Sequence, residues 1–231
     1  SPIREMDAKE ELVFPMSQHI GAPATPVVAV GDTVKMGQII GEASGFISAN
    51  IVSSVSGEVK AVEPRLLSSG AKATCVVIAN DGEYQPVEGL GADRDYTQLT
   101  KEEIRQIIKD AGIVGMGGAG FPTNVKVTPK NEEEIDYVIV NGAECEPYLT
   151  SDYRLMLERP EDLIQGLHVV LSLFDNAKGV IAIEDNKPEA IAKLQYLTDS
   201  DPDIEVKVLK TKYPQGAERQ AVSYTHLTLP T

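Results

Sequence analysis

The stretch Gly115-Met116-Gly117-Gly118-Ala119-Gly120-Phe121-Pro122-Thr123 decides how this chain is read. Four glycines in the six positions from Gly115 to Gly120 free the backbone for φ > 0 and for close approach to a ligand. They also set a row of unobstructed N–H groups, the means by which a loop grips phosphate without side chains. The spacing Gly115-x-Gly117-x-x-Gly120 matches the dinucleotide fingerprint, but that fingerprint follows a strand and opens a helix. Here the preceding residues, Thr100 to Gly112, have helical periodicity. Two readings therefore stand: a phosphate-binding loop, or a tight turn that ends a helix.

Downstream of the loop, a Glu-rich stretch from Asn131 to Asp136 leads into Tyr137-Val138-Ile139-Val140, which reads as a buried strand. The strand runs into a second unusual string, Asn141-Gly142-Ala143-Glu144-Cys145-Glu146-Pro147. Glu161 to Phe174 reads as a helix with Pro160 at its start and Leu163, Leu167, Val170, Leu171 and Phe174 inward. Gly179–Glu184 is predicted as a strand, Pro188–Leu197 as a helix and Ile204–Leu209 as a strand. Such alternation with short joints predicts a parallel sheet covered by helices, with ligands at the carboxyl ends of its strands.

Three loops are expected to converge there: the glycine loop, the Asn141 string, and Tyr213-Pro214-Gln215-Gly216-Ala217-Glu218. The glycine loop and Lys126 suit a phosphate, while Asn141, Glu144 and Glu146 suit ring N–H groups and ribose hydroxyls. That set fits a mononucleotide, and a redox-active one, since no hydrolytic constellation is visible. Duller readings exist for each group. Glu144, Glu146 and Asp152 also fit a solvated acidic rim or, without a neighbouring histidine, a metal site. Cys145 fits a nucleophile or a small packed thiol. His19, His168 and His226 are scattered, and Phe121, a candidate for the cofactor site, also fits a plain anchor for the loop.

Upstream, residues 1–16 are polar and read as a loosely held arm, and the text changes at Gln18. Val27 to Glu42 contains Val-Gly-Asp-x-Val-x-x-Gly-Gln-x-Ile-Gly, and Ile47 to Val59 echoes it with Ser-x-Val-Ser-Gly-x-Val. Short β-branched runs with glycine turns mean a small all-β unit, and the pattern resembles the biotinyl/lipoyl-type barrel-sandwich fold. A carrier of that type needs a lysine at the central hairpin. None occurs between Lys35 and Lys60, and the hairpin offers Ser44-Gly45-Phe46 instead, so the unit is expected to be unmodified. A strand, Thr74–Ala79, the turn Asn80-Asp81-Gly82 and a linker, Glu88–Asp95, complete it. Thr100-Lys101-Glu102-Glu103 is a capping box, with Ile104, Ile107, Ile108 and Ala111 on one helical face and a stop at Gly112. The expected fold class is thus α/β: an all-β barrel-sandwich domain over 17–90, then a Rossmann-like domain with a mainly parallel sheet over 96–220.

Composition bounds the function. A net charge of −14 over 231 residues repels nucleic acid and anionic membrane. No run approaches the ~18 apolar residues of a membrane span, the first fifteen residues do not form a signal peptide, and two isolated cysteines exclude a disulfide framework or C-x-x-C motif. A reducing, cytoplasmic setting is expected.

The chain closely resembles the C subunit of the Rnf ion-translocating electron transport complex, a family related to the flavin-carrying, NADH-oxidising subunit of respiratory complex I. The resemblance runs from Gln18 to about Gln220 and rests on S-Q-H-I-G-A-P at 17–23, S-S-V-S-G at 53–57, G-M-G-G-A-G-F-P-T at 115–123, N-G-A-E-C-E-P at 141–147 and Y-P-Q-G-A-E at 213–218. It implies FMN and NAD(H) as cofactors, with Gly115, Gly117, Gly118, Gly120 and Lys126 at the flavin phosphate. Asn141, Glu144 and Glu146 fall where the relatives line the flavin and nicotinamide site, and Gly216 and Glu218 fall on the Gly-Glu-Glu segment facing NADH. Ala143 and Ala217 stand where the relatives carry acidic residues, which would reshape nucleotide binding. The family continues into a ubiquitin-like domain and a ferredoxin-like module with two 4Fe-4S clusters, expected outside this chain. Implied partners are the other Rnf subunits and a ferredoxin-linked electron chain, at the cytoplasmic face of the bacterial inner membrane. A cofactor-free docking subunit, like the A subunit of the sodium-pumping NADH:quinone reductase, is the alternative. Ala221 to Thr231 lacks helical periodicity and departs from the family's pattern; it reads as a foreign or disordered tail.

Overall fold

A computed structural model describes residues 2–116 and 118–217. The expectations for Gly117, Glu218, His226 and the 221–231 tail lie outside the described residues. The chain forms two compact units, one spanning Met6–Lys130 and the other beginning at Asn131 and including residues 2–5.

In the first unit, β1 (Glu11–Pro15), β7 (Lys72–Asn80), β6 (Gly57–Leu66) and β3 (Thr33–Val34) form an antiparallel sheet in that order. A second sheet has the order β2 (Thr25–Pro26), β4 (Ile39–Glu42), β5 (Ile51–Val52). The two enclose one core of Phe14, Met16, Val34, Ile40, Ile51, Val55, Val59, Val76 and Ile78, the barrel-sandwich expected from the β-branched repeats. The polar arm is a correction. From Glu11 it is a strand, paired with β7 from Glu11↔Ala79 to Pro15↔Cys75, because Phe14 and Met16 complete the core at 8% and 1% exposure. The Ser44–Phe46 hairpin is surface, with Phe46 exposed.

Helix α1 (Lys101–Asp110) starts at the predicted capping box: Thr100 Oγ1 accepts from Glu103 N–H at 3.2 Å while Glu103 Oε2 accepts from Thr100 N–H at 2.8 Å. The Thr100 N–H and, at 2.9 Å, the Thr100 hydroxyl, both donating to Glu103 Oε2, hold the Glu103 carboxyl below its ordinary pKa. Ile104 and Ile108 are buried, whereas Ala111, expected on the same face, is exposed; the helix has ended, so its period no longer applies.

In the second unit, β8 (Tyr137–Gly142), β9 (Lys178–Glu184) and β10 (Ile204–Leu209) form a parallel sheet with β9 central. Helices α3 (Ser151–Glu158) and α4 (Pro160–Leu171) cross from β8 to β9, and α5 (Pro188–Thr198) from β9 to β10; α2 is a single turn, Thr123–Lys126, in the first unit. Ile181, Ile183 and Ile204 pack against Met156, Leu167, Leu171, Ala190 and Leu194, a fully buried isoleucine being worth about 1.5–3 kcal/mol. Helix α3 has no counterpart in the sequence reading. Residues 137–140, predicted buried, are half-buried to exposed because β8 is an edge strand. The helix predicted to Phe174 stops at Leu171, although Phe174 is still buried. Gly142, Glu184 and Leu209 end their strands on one side of the sheet, so the loops that follow them lie together.

Candidate functional site

The glycine stretch is a hairpin, and not the turn that ends α1. Gly112, at φ +63°, ends that helix, and a Cβ there would lie 2.3 Å from Asn50 O. The chain then doubles back on itself. Gly115 N–H donates to Phe121 O and Thr123 N–H to Ile113 O, both at 2.9 Å, with Val114 and Pro122 bridged. Gly120, also at φ +63°, is buried against the barrel-sandwich, where a Cβ would meet Gln18 O at 2.8 Å. Phe121 lies at the root of the hairpin, its carbonyl accepting from Gly115 N–H.

The tip is open. Met116, Gly118 and Ala119 are exposed, and a Cβ on Gly118 would meet nothing within 4 Å. The fold itself therefore does not require glycine at 118. Among the described residues, no hydrogen bond engages the Gly118 or Ala119 N–H. Lys126, at the end of α2, turns its ammonium back over the hairpin: a Cβ at Gly115 would lie 3.4 Å from Lys126 Nζ. Among the described residues this cation has no carboxylate within 4 Å. Free N–H groups, an unpaired cation and a position without a Cβ fit a phosphate.

His19 and Asn50, both 8% exposed, hold the joint beneath the hairpin. His19 Nε2 accepts from Ala49 N–H at 3.2 Å and Nδ1 faces Ile20 O at 3.1 Å, which selects the Nδ1–H tautomer. Asn50 Oδ1 accepts from Ala43 N–H, and its Nδ2 donates to Asp110 O at the end of α1. A cleft of about 280 Å³ lies here, lined by Gln18, His19, Asn50, Ser54, Gly112 and Val114 among others.

The loops at the strand ends of the second unit are built differently. Asn141 Nδ2 donates to Gly216 O at 2.8 Å, and its Oδ1 accepts from Ala143 N–H at 3.3 Å. A Cβ on Gly216 would lie 2.3 Å from Ala143 O, and Gly216 N–H faces Cys145 Sγ at 3.4 Å. The structure thus brings Asn141, Cys145 and Gly216 together. Glu144 reaches forward to the start of α3, where Oε1 accepts from Asp152 N–H at 2.9 Å and Ser151 Oγ at 3.3 Å, and Oε2 from Tyr153 N–H at 3.3 Å. It stands in for the helix cap that Thr150 does not provide. Glu146 is exposed. Although Asp152 as a residue is exposed, its carboxyl group is partly desolvated; burial first and the Glu144 charge second raise its pKa, with Lys187 opposing. Gln215 is fully buried, and neither atom of its amide has a hydrogen-bond partner among the described residues.

The sequence reading missed Glu184 and Lys187, which close β9 and are 1% and 8% exposed. Lys187 Nζ lies 3.6 Å from Glu184 Oε2 and donates to Glu144 O at 3.3 Å. The signal was present in Glu184-Asp185-Asn186-Lys187, a charged string on the end of an apolar strand. His168 pairs with Asp201 at 2.9 Å, part-exposed, in keeping with a structural histidine. Cys75 and Cys145 are both free, and no group of three metal-ligating side chains occurs among the described residues.

With this geometry in hand, the chain matches two families: the RnfC barrel sandwich hybrid domain over residues 1–83 and the Nuo51 FMN-binding domain over residues 108–226. Together with the observed architecture these define a class in which a barrel-sandwich domain precedes an α/β flavin-binding domain. Over 96% of its length the chain is 42% identical to the C subunit of the proton-translocating ferredoxin:NAD(+) oxidoreductase complex of Clostridium ljungdahlii. It is 44% identical over 93% to the Na(+)-translocating counterpart of Acetobacterium woodii, and 39% over 99% to the C subunit of the ion-translocating oxidoreductase complex of Vibrio cholerae. It belongs to the RnfC family, the C subunits of these ion-translocating oxidoreductase complexes. The chain spans 48%, 48% and 30% of the length of these three relatives. Among the described residues no helix is long and apolar enough to cross a membrane.

Proposed function

We propose that this chain is the flavin-binding part of an electron-transfer subunit in an Rnf-type ferredoxin:NAD+ oxidoreductase complex, working with FMN and NAD(H) at the cytoplasmic face of the membrane beside the other subunits. Residues 17–90 serve as an unmodified barrel-sandwich module and 96–220 carry the nucleotide-binding residues. Gly115, Gly117, Gly118 and Gly120 with Lys126 form the loop for the FMN phosphate, Gly115 and Gly120 by shaping the hairpin root, since the Gly115 N–H is engaged by Phe121 O and Gly120 is buried. Asn141, Glu144, Glu146, Gly216 and Glu218 form the nucleotide-facing set, with Glu218 on the NADH side. The observation that carries the reading is the Lys126 ammonium held over a hairpin whose Gly118 and Ala119 N–H groups meet no acceptor among the described residues.

The roles within this set differ. Glycine at 118 keeps room for a phosphate oxygen, and Lys126 adds one charge-assisted contact. Asn141 and Glu144 act mainly by fixing backbone, since their polar atoms already bind Gly216, Ala143 and the α3 N-terminus. FMN, when bound, supplies exchange between two-electron and one-electron transfer. The engagement of Asn141 and Glu144 favours the second reading, a cofactor-free docking subunit. Both are separated by titrating FMN fluorescence against the full-length subunit. Wild type should bind, Lys126→Ala should weaken FMN roughly ten- to a hundredfold, and Glu218→Gln should leave FMN unchanged while weakening NADH. A wild type that purifies colourless and does not bind FMN supports the docking subunit; equal FMN affinity in wild type and Lys126→Ala removes the phosphate assignment.

A further inference from the structure

The central strand of the parallel sheet ends in a buried ion pair that neither strand pairing nor the hydrophobic core requires. Glu184 and Lys187 are 1% and 8% exposed and 3.6 Å apart. Burying two charges costs more than burying two apolar groups of similar volume unless their hydrogen-bonding capacity is used. Here it is used on the two neighbouring loops. Lys187 Nζ donates to Glu144 O at 3.3 Å and Asn186 Oδ1 at 3.1 Å. Glu184 Oε1 accepts from Lys212 N–H at 3.3 Å, at the root of the Tyr213–Ala217 loop. Between them, Asp185 Oδ1 accepts from Thr211 N–H at 3.0 Å and Thr211 Oγ1 at 2.5 Å. One end of the pair thus holds the loop after β8, and the other holds the loop after β10.

We infer that Glu184 and Lys187 are positioning residues that set the Asn141–Glu146 and Lys210–Ala217 loops against each other, and so hold ready the nucleotide-facing groups those loops carry. A pair that only stabilised the sheet would contact strands and helices. This one contacts a loop carbonyl on one side and a loop N–H on the other. The loops also touch directly, through Asn141 Nδ2 to Gly216 O and the close approach of Gly216 to Ala143 O, so a shift in one is passed to the other.

The flavin arm of the test rests on the function proposed above; the loop arm does not. In the full-length subunit, Lys187→Met, Glu184→Gln, the double variant and Lys187→Arg are compared with wild type by FMN titration and by amide hydrogen exchange without flavin. Each of the two neutralising variants should lose about tenfold in FMN affinity, the size of one charge-assisted hydrogen bond. The double variant should lose no more than the worse single, because the pair acts as a unit. Lys187→Arg, which keeps the cation, should retain most of the affinity. Exchange should quicken at 143–146 and at 211–217 together, while the amides of the central strand stay protected. If wild type does not bind FMN but both loops loosen together, the positioning role stands and the flavin reading falls. Exchange that quickens across the whole sheet, or in one loop alone, overturns the positioning role. So does wild-type behaviour of Glu184→Gln, the milder variant, should Lys187→Met fail to fold.

Discussion

The two regions that bear candidate site residues solve opposite problems. In the hairpin from Ile113 to Thr123, the backbone pairs at its root and leaves its tip exposed, with Lys126 free of any carboxylate within 4 Å among the described residues. In the loops after β8 and β10, the side chains of Asn141 and Glu144 are occupied by the protein itself, and Gly216 sits against Ala143. The same residue type therefore has different meanings in the two places. Gly118 has no steric reason within the fold to be glycine; Gly216 has one 2.3 Å away. A glycine whose Cβ would strike a carbonyl is part of the chain's own packing, whereas the open space at Gly118 leaves that position unconstrained by the fold.

The largest effect that would sharpen this contrast is Gly216→Ala. Its methyl group must push the Tyr213–Ala217 loop off Ala143, so a loss of about 1–3 kcal/mol is expected, read as a lower melting temperature. An unchanged melting temperature would mean the loop yields freely and the contrast is empty. Next comes Asn141→Ala, which removes the 2.8 Å bond to Gly216 O and the weaker one from Ala143 N–H. About 1 kcal/mol is expected, and because both mutations loosen one contact, Gly216→Ala and Asn141→Ala should be less than additive.

Asp185 gives a pH test of the same loop. The two hydrogen bonds from Thr211 hold its folded-state pKa below the ordinary aspartate value. The stability it contributes is therefore fully present above the unfolded pKa and is lost as pH falls through the folded one. Asp185→Asn should be less stable than wild type at neutral pH, and the gap should close under acid, below the ordinary aspartate pKa; a gap that widens under acid would reverse the sign of this contribution. The smallest effect is on the other side of the comparison. Gly118→Ala should change folding stability by no more than about 0.5 kcal/mol, while its phosphate affinity falls in an FMN titration; a variant that unfolds more readily would show that the hairpin tip is packed after all.

Much of the scaffold was legible because its signals are local. The capping box of α1 closes within three residues, the apolar runs of β9 and β10 fall in the sheet where their composition put them, and the lack of lysine between Lys35 and Lys60 bears on modification whatever the fold. The candidate residues Asn141 and Gly216 were also found from their strings, and the structure brings them into hydrogen-bond contact. What they do there was not legible: a carboxylate reads the same in sequence whether it meets solvent or, like Glu144, caps a helix seven to nine residues ahead.

The sequence by itself determined the α/β class, the barrel-sandwich repeat, most helices and strands, and the family, since each depends on periodicity, turn residues or strings carried within a few positions. Tertiary structure alone decided that the polar text before Gln18 contains a strand, because that depends on pairing with β7 residues 60 to 68 positions away. It decided too that the glycine stretch is a hairpin, which rests on pairing across the loop and on Gly120 meeting Gln18. And it decided that Glu184 and Lys187 reach both neighbouring loops, a consequence of β9 lying between β8 and β10. Contacts between distant segments depend on which edges and strand ends the fold leaves side by side, and no local run of residues carries that information.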